Sequence, residues 1–94
     1  MNTAKNLREW FKANANEYEK LSANAVTLID AAAQLTEHES FEAVASLLLS
    51  AACVGSAAGM SEQEFMQAVN LAWADAGELR SEQVTARARA KLRQ

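Results

Sequence analysis

Apolar residues recur at helical spacing along the first third of the chain. From residue 7 to residue 35 they step by four and three without a break, and no proline or glycine interrupts them. A stripe with a period near 3.5 residues is typical of a helix that packs against another helix. The pattern predicts one long helix over residues 3–35, about 50 Å long at about 1.5 Å per residue. The one polar member, Asn14, either fixes the register between helices or meets solvent.

A second, more apolar helix is predicted to follow. Thr36 and Glu39 have the spacing of a capping box with Thr36 as the N-cap, which indicates a helix over residues 37–58. Gly55 and Gly59 are four residues apart, so another backbone can come close, and Gly59 suits the left-handed position that ends a helix. We expect this helix to be central, with its apolar face buried in the core: Phe41, Val44, Leu47, Leu48, Ala51, Val54, Gly55 and Ala58.

Two shorter helices are predicted in the remaining third. Ser61 and Glu64 repeat the capping-box spacing, which indicates a third helix over residues 62–76. Leu71 points away from the apolar stripe of that helix and should be exposed, whereas the stripe itself should be buried: Phe65, Val69, Ala72, Trp73 and Ala76. Gly77 ends the helix, and Ser81 can cap a last one over residues 82–91. Its apolar row is weak, so we expect the basic end at 86–94 to fray.

Composition agrees with a single all-α domain over residues 1–94, built as a small helical bundle. The 94 residues include 21 alanines and no proline, and no segment alternates with the period of a strand. The single cysteine, Cys53, excludes an internal disulfide and favours a cytoplasmic location, and the first residues do not resemble a signal peptide. Residues 43–61 carry no charge, but their serines, glycines and alanines favour a buried helix over a membrane span.

Charged residues are segregated along the chain. Between residues 21 and 79 there are eight carboxylates and no lysine or arginine. This pattern argues against a nucleic-acid partner and favours recognition of another protein, whose surface would be basic. The carboxylates equally serve solubility and the helix dipoles. The acidic binding face that we predict lies at two helix starts and consists of Glu37, Glu39, Glu42, Glu62 and Glu64.

The predicted helix lengths leave the start of the first helix uncovered. The second helix, about 33 Å long, would cover the first only to about residue 13. Either the last two helices or a second molecule then covers the large apolar residues beyond it. The small core favours a second molecule, because oligomerisation is a common remedy for a short chain. We therefore predict a homodimer, and we expect the interface with the dimer partner or another protein at Leu7, Trp10, Phe11 and Leu71.

No cluster of residues indicates catalysis, a cofactor or a metal. His38 lacks a second histidine or cysteine at ligand spacing, and Cys53 has no neighbouring base that would activate its thiol. We therefore expect no enzyme. The turn at residues 59–61 resembles that of a helix-turn-helix DNA reader, with Gly55 at the small position and Phe65 at the core position. However, the helix that would enter the groove begins with carboxylates.

The sequence therefore predicts a small, stand-alone protein–protein interaction module. It would be an adaptor, inhibitor or regulatory subunit that acts by occluding a partner surface. A helix-turn-helix-like DNA-binding regulator is the alternative.

Overall fold

The computed structural model describes residues 17–93, which form an all-α fold without strands. The predicted start of the first helix at residue 3 lies outside these residues; in the described part the helix follows Glu17 and ends at Leu35, as predicted. A short 3-10 turn at Leu79–Ser81 precedes the last helix. The four described helices, in chain order, are α1 (Tyr18–Leu35), α2 (Ser40–Ala57), α3 (Glu62–Ala76) and α4 (Glu82–Lys91).

Helix α1 is the element on which α2 and α4 both pack. The buried apolar residues among those described are all alanines, Ala32 and Ala33 near the end of α1 and Ala43 in the first turns of α2. Such small side chains allow two helix backbones to approach closely. No large side chain of the described part is fully buried. The core is therefore thin, and it lies where α1 meets the start of α2.

The connection between α1 and α2 differs from the predicted capping box. Thr36 ends α1, because its N–H and its hydroxyl both donate to the Ala32 carbonyl, at 3.0 Å and 2.7 Å. Glu37 and His38 then take positive φ angles of 53° and 68°, which breaks the helical path. The predicted helix start at residue 37, with Thr36 as N-cap, is therefore wrong.

Helix α2 begins at Ser40 and has Glu39 as its N-cap. The Glu39 carboxylate accepts a hydrogen bond from the N–H of Glu42 at 2.7 Å, which satisfies one of the free donors of the first turn. Glu39 was predicted at the N3 position of a helix that starts three residues earlier. Glu39 therefore takes part in the start of the helix, but as the N-cap rather than as the N3 residue. We refer to residues 36–40 as the corner.

The end of the described chain is hydrogen-bonded to the corner. The N–H of Arg93 donates to the His38 carbonyl at 2.7 Å, and its guanidinium donates to the Glu37 carbonyl. The Ser40 hydroxyl donates to the Arg93 carbonyl, and Nδ1 of His38 lies 2.8 Å from the Lys91 carbonyl. We expected the end at 86–94 to fray. These bonds argue against fraying, and they join residues that are more than fifty positions apart in sequence.

Polar side chains join α1 to α4. Arg87 donates two hydrogen bonds to the carboxylate of Asp30, at 3.0 Å and 2.7 Å, and this pairing lowers the pKa of Asp30. Near the start of α1, the hydroxyl groups of Tyr18 and Ser81 are hydrogen-bonded to each other. Ser81 stands at the N-cap position of α4 as predicted, but its side chain does not cap the helix. The guanidinium of Arg80 lies over the Tyr18 ring, with its Cζ atom 4.0 Å from the ring centroid.

The turn between α2 and α3 follows the sequence prediction. The N–H of Glu64 donates to Ser61 Oγ at 3.2 Å, and the N–H of Ser61 donates to the Glu64 carboxylate at 2.8 Å, which together form the predicted capping box. Gly59 has a φ of 86°, the left-handed conformation that favours glycine. Gly55 is buried, and a Cβ there would lie 3.2 Å from the side chains of Met60 and Phe65.

Candidate protein-interaction surface

The large apolar side chains of α2 are exposed. Phe41 is 85% exposed and Leu49 is 67% exposed, and Val44, Leu48 and Val54 are also exposed. The predicted burial of the apolar face of the second helix is therefore wrong in this structure. The physical reason is the size of the contact residues, because α2 buries only Ala43 and Gly55. Contacts through such small groups bring helices close but leave the larger side chains outside.

Five exposed residues of α2 form a continuous row on one side of the helix. Their spacing of four, three, one and three residues is that of a helical face which packs against another helix. No residue between 43 and 61 carries a charge. We name this row the α2 stripe; its members are Phe41, Ala45, Leu48, Leu49 and Ala52. The sequence contains the signal for this surface, but its apolar pattern predicts that Phe41 and Leu48 are buried in the core.

Helices α2 and α3 enclose an apolar groove beside the stripe. The groove has a volume of about 430 Å³, and Leu48, Phe65 and Val69 are among its lining residues. Trp73 also lines it and is 83% exposed, although its position in the third helix predicted a buried residue. We name this feature the α2–α3 groove.

A second, smaller cavity lies between α1, α3 and α4. Its volume is about 250 Å³, and Leu21, Ala25 and Val84 contribute to its apolar lining. Ala72 and Ala76 of α3 line both this cavity and the α2–α3 groove. Helix α3 is therefore incompletely packed on the neighbouring helices, which leaves its apolar residues available for contact with another molecule.

The predicted acidic face is divided into two clusters. Glu37, Glu39 and Glu42 surround the start of α2, whereas Glu62 and Glu64 follow its end. Because α2 has 18 residues, its two ends are about 27 Å apart. Glu64 is held by the N–H and the hydroxyl of Ser61, which lower the pKa of its carboxyl. The structure therefore does not bring the five carboxylates together on one face.

The other predicted interface residues have different outcomes. Leu71 is half-buried, so the prediction that it is exposed is wrong. Leu7, Trp10 and Phe11 lie outside the described residues. Within residues 17–93, no group of three histidine, cysteine, aspartate or glutamate side chains could hold a metal ion. Cys53 is exposed on α2.

Helix α2 is also long and apolar enough to cross a membrane. It has 18 residues, a mean hydropathy of 1.5, and 11% of its residues buried. A crossing would place the start of α3 on the far side, whereas α4 packs on α1 on the near side. Helix α3 would then have to return through a layer about 30 Å thick, although its 15 residues span only about 22 Å. It also carries Glu64 and Asp75. The connectivity therefore argues against a membrane crossing by α2.

Comparison with known proteins provides no family for this chain: no protein-family model, no curated protein and no solved structure matches it. The function is therefore inferred from the geometry of the α2 stripe and the α2–α3 groove.

Proposed function

We propose that the protein is a protein–protein interaction module that binds through the α2 stripe and the adjoining α2–α3 groove. The observation that supports this proposal is the exposure of Phe41, Leu49 and Trp73, together with Leu48, which belongs to the stripe and also lines the groove. Contiguous exposed apolar residues mark interaction sites in many soluble proteins. Large aromatic side chains are the usual anchors of such interfaces. By covering a partner with this surface, the module would act as an adaptor, inhibitor or regulatory subunit.

Apolar contact would supply the affinity, while the acidic clusters would govern the dependence on salt. The clusters lie near the two ends of α2 and flank the uncharged stripe. They would accelerate encounter with a partner that carries basic residues around an apolar surface, and added salt would weaken that effect. The same clusters would repel an acidic partner, and added salt would then strengthen the association.

Site-specific photo-crosslinking tests the proposal. A photoreactive phenylalanine at Leu49, in the stripe, should form covalent adducts with a protein in the cells that make this chain. The matched control places the same residue at Ala90, which is exposed on α4 and lies outside the stripe and the groove. Adducts at Leu49 but not at Ala90 would support the proposal. Equal labelling at both positions, or no adduct at Leu49, would overturn it.

A helix-turn-helix DNA-binding regulator is the second candidate. The left-handed Gly59 and the close packing of Gly55 against Phe65 favour it, because that motif also joins two helices through a tight turn that often contains glycine. Against it, α3 begins with Glu62 and carries no lysine or arginine, so its carboxylates would face phosphates. Fluorescence anisotropy with labelled duplex DNA separates the candidates. Binding that weakens steeply with salt would favour the regulator, and we expect no binding at low salt.

A further inference from the structure

We infer that the partner of the α2 stripe is a second copy of this chain, and that the two α2 helices pack antiparallel around a two-fold axis near Leu48 and Leu49. This inference rests on the proposed function, since it names the partner of the same surface. Two observations support it: the distribution of side-chain size along α2 and the thin core of the single chain. The distribution of charge predicts how the dimer responds to salt.

Side-chain size is unequal along α2. The first ten residues contain all its large aromatic and leucine side chains, namely Phe41, Leu47, Leu48 and Leu49. The last seven residues, 51–57, are alanine, cysteine, glycine and serine apart from one valine. Antiparallel pairing places the large half of one helix against the small half of the other. Facing large and small residues in this way lets two helices interdigitate without voids.

The register follows from the two-fold axis. With the axis between Leu48 and Leu49, Phe41 of one copy lies opposite Ser56 of the other, and Ala45 lies opposite Ala52. Each pair occurs twice, as a symmetric dimer requires. Parallel pairing would instead place Phe41 against Phe41 and Ala52 against Ala52. The helices would then be held apart at one end and would leave a gap at the other.

The thin core of the single chain also favours association. Its buried apolar residues among those described are three alanines, and a domain of fewer than 100 residues with so thin a core usually needs a further source of stability. A stable interface uses about 20–30 residues on each side. The α2 stripe, with Trp73 beside the adjoining groove, provides the apolar centre of such an interface.

Charge predicts how salt affects this dimer. The centre of the interface carries no charge, because residues 43–61 have none. At each end, the antiparallel register places Glu39 of one copy opposite residue 58 of the other, at the helix end that is followed by Glu62. Like charges at this position oppose association, and salt screens them. The dimer should therefore become tighter as ionic strength rises, whereas a complex with a basic partner should become weaker.

Disulfide crosslinking tests the inference and its register. In a Cys53→Ser background, Leu49→Cys should crosslink to itself, since the residue lies beside the two-fold axis. Ala45→Cys and Ala52→Cys should each fail alone, because seven residues along a helix correspond to about 10 Å, beyond the roughly 7 Å limit between the Cα atoms of a disulfide. A mixture of those two variants should crosslink efficiently. Self-crosslinking of Ala45→Cys, with none between the two variants, would overturn the antiparallel arrangement.

Sedimentation provides the second measurement. The wild-type chain should be dimeric at micromolar concentration, and its dissociation constant should fall with added NaCl. Leu49→Glu should raise that constant at least about 30-fold, the effect of losing one strong anchor, while Ala90→Glu should leave it unchanged. Leu49 is exposed in the single chain, so helix content by circular dichroism should persist.

A monomeric wild-type protein at high concentration would overturn the inference. If Leu49 then photo-crosslinks to a different protein, the proposed function stands without the dimer. If Leu49 forms no adduct with any protein, both are overturned.

Discussion

The two ends of α2 differ in how they contact the rest of the chain. At its start, Ala43 is buried, Glu39 caps the helix, and Arg93 returns from the end of the chain to bond the corner. Toward its other end, Val54 is exposed and the groove between α2 and α3 is open. The first, closed region is held by small side chains and polar bonds, although Phe41 beside it is exposed. The second, open region is bordered by the groove, which leaves Trp73 of α3 exposed.

This difference assigns separate roles to small and large residues. In many small domains the large apolar residues form the core, because their burial supplies most of the stability. Here the buried apolar residues among those described are alanines, and long-range hydrogen bonds join the helices, while most large residues of α2 are exposed. The contrast predicts that substitutions in the closed region change the stability of the single chain, whereas those in the stripe change association.

The largest effect on the single chain should come from enlarging Ala43. No part of Ala43 is exposed, so Ala43→Leu would force α1 and α2 apart and should lower the free energy of unfolding by about 1–3 kcal/mol. The matched control is Ala57→Leu, at an exposed residue of the same helix, which should change it by less than about 0.5 kcal/mol. Urea denaturation at low protein concentration measures both. Equal midpoints for the two variants would remove the distinction between the closed and open parts of α2.

Removal of residues 92–94 should have the next largest effect. The truncated chain loses the bonds from Arg93 to the corner, and each such bond contributes about 0.5–1.5 kcal/mol. We expect the free energy of unfolding to fall by about 1–2 kcal/mol. Hydrogen exchange in the intact chain should show protection of the Arg93 amide. Rapid exchange of this amide and an unchanged midpoint would instead support the frayed end that the sequence predicted.

The sequence predicted local structure better than packing. Helices α3 and α4 have the predicted bounds, and the Ser61–Glu64 capping box forms, because helix starts and stops depend on nearby residues. The Thr36–Glu39 signal failed although its spacing is the same. There the Thr36 hydroxyl bonds back to Ala32, and Arg93, more than fifty residues later, bonds the corner. No local pattern contains that information.

The absence of long-range information in a local pattern also explains why the apolar face of α2 was wrongly predicted to be buried. Apolar periodicity shows which side of a helix is apolar, but not whether another element covers it. The partners of α2 within the chain depend on where α3 and α4 pack, which is a property of the whole fold. The stripe from Phe41 to Ala52 was therefore visible in the sequence, while its exposure was not.

A smaller effect, of opposite sign, is expected at Glu37. Its φ of 53° is left-handed, and the Glu37 carbonyl rather than its side chain bonds Arg93. Glu37→Gly keeps that bond and relieves backbone strain, so the free energy of unfolding should rise by about 0.5–1 kcal/mol. His38→Gly is the control, because it relieves similar strain but removes the imidazole that lies against the Lys91 carbonyl. If the two glycine variants have equal stability, the imidazole does not contribute to the corner.

The smallest effect should be a loss of stability in acid. Arg87 lowers the pKa of Asp30 below its ordinary 3.8, and the Ser61 N–H and hydroxyl lower that of Glu64 below its ordinary 4.5. A carboxyl whose pKa is lower in the folded state than in the unfolded state stabilises the folded protein fully at pH values above its unfolded pKa. This contribution is lost as the pH falls through the pKa of the folded state. Both contributions should therefore be complete above about pH 5 and should decline below about pH 4.5. The effect is small because both carboxyls are accessible to solvent.

Two variants separate these carboxyls in urea titrations at low protein concentration between about pH 6 and about pH 3. The Asp30–Arg87 bonds join α1 to α4 across more than fifty residues, whereas the Glu64 bonds close a single turn. Asp30→Asn should therefore remove more of the acid dependence than Glu64→Gln, since only the former breaks a contact between helices. If Asp30→Asn leaves the pH profile unchanged and Glu64→Gln flattens it, the Asp30–Arg87 bonds do not stabilise the contact between α1 and α4.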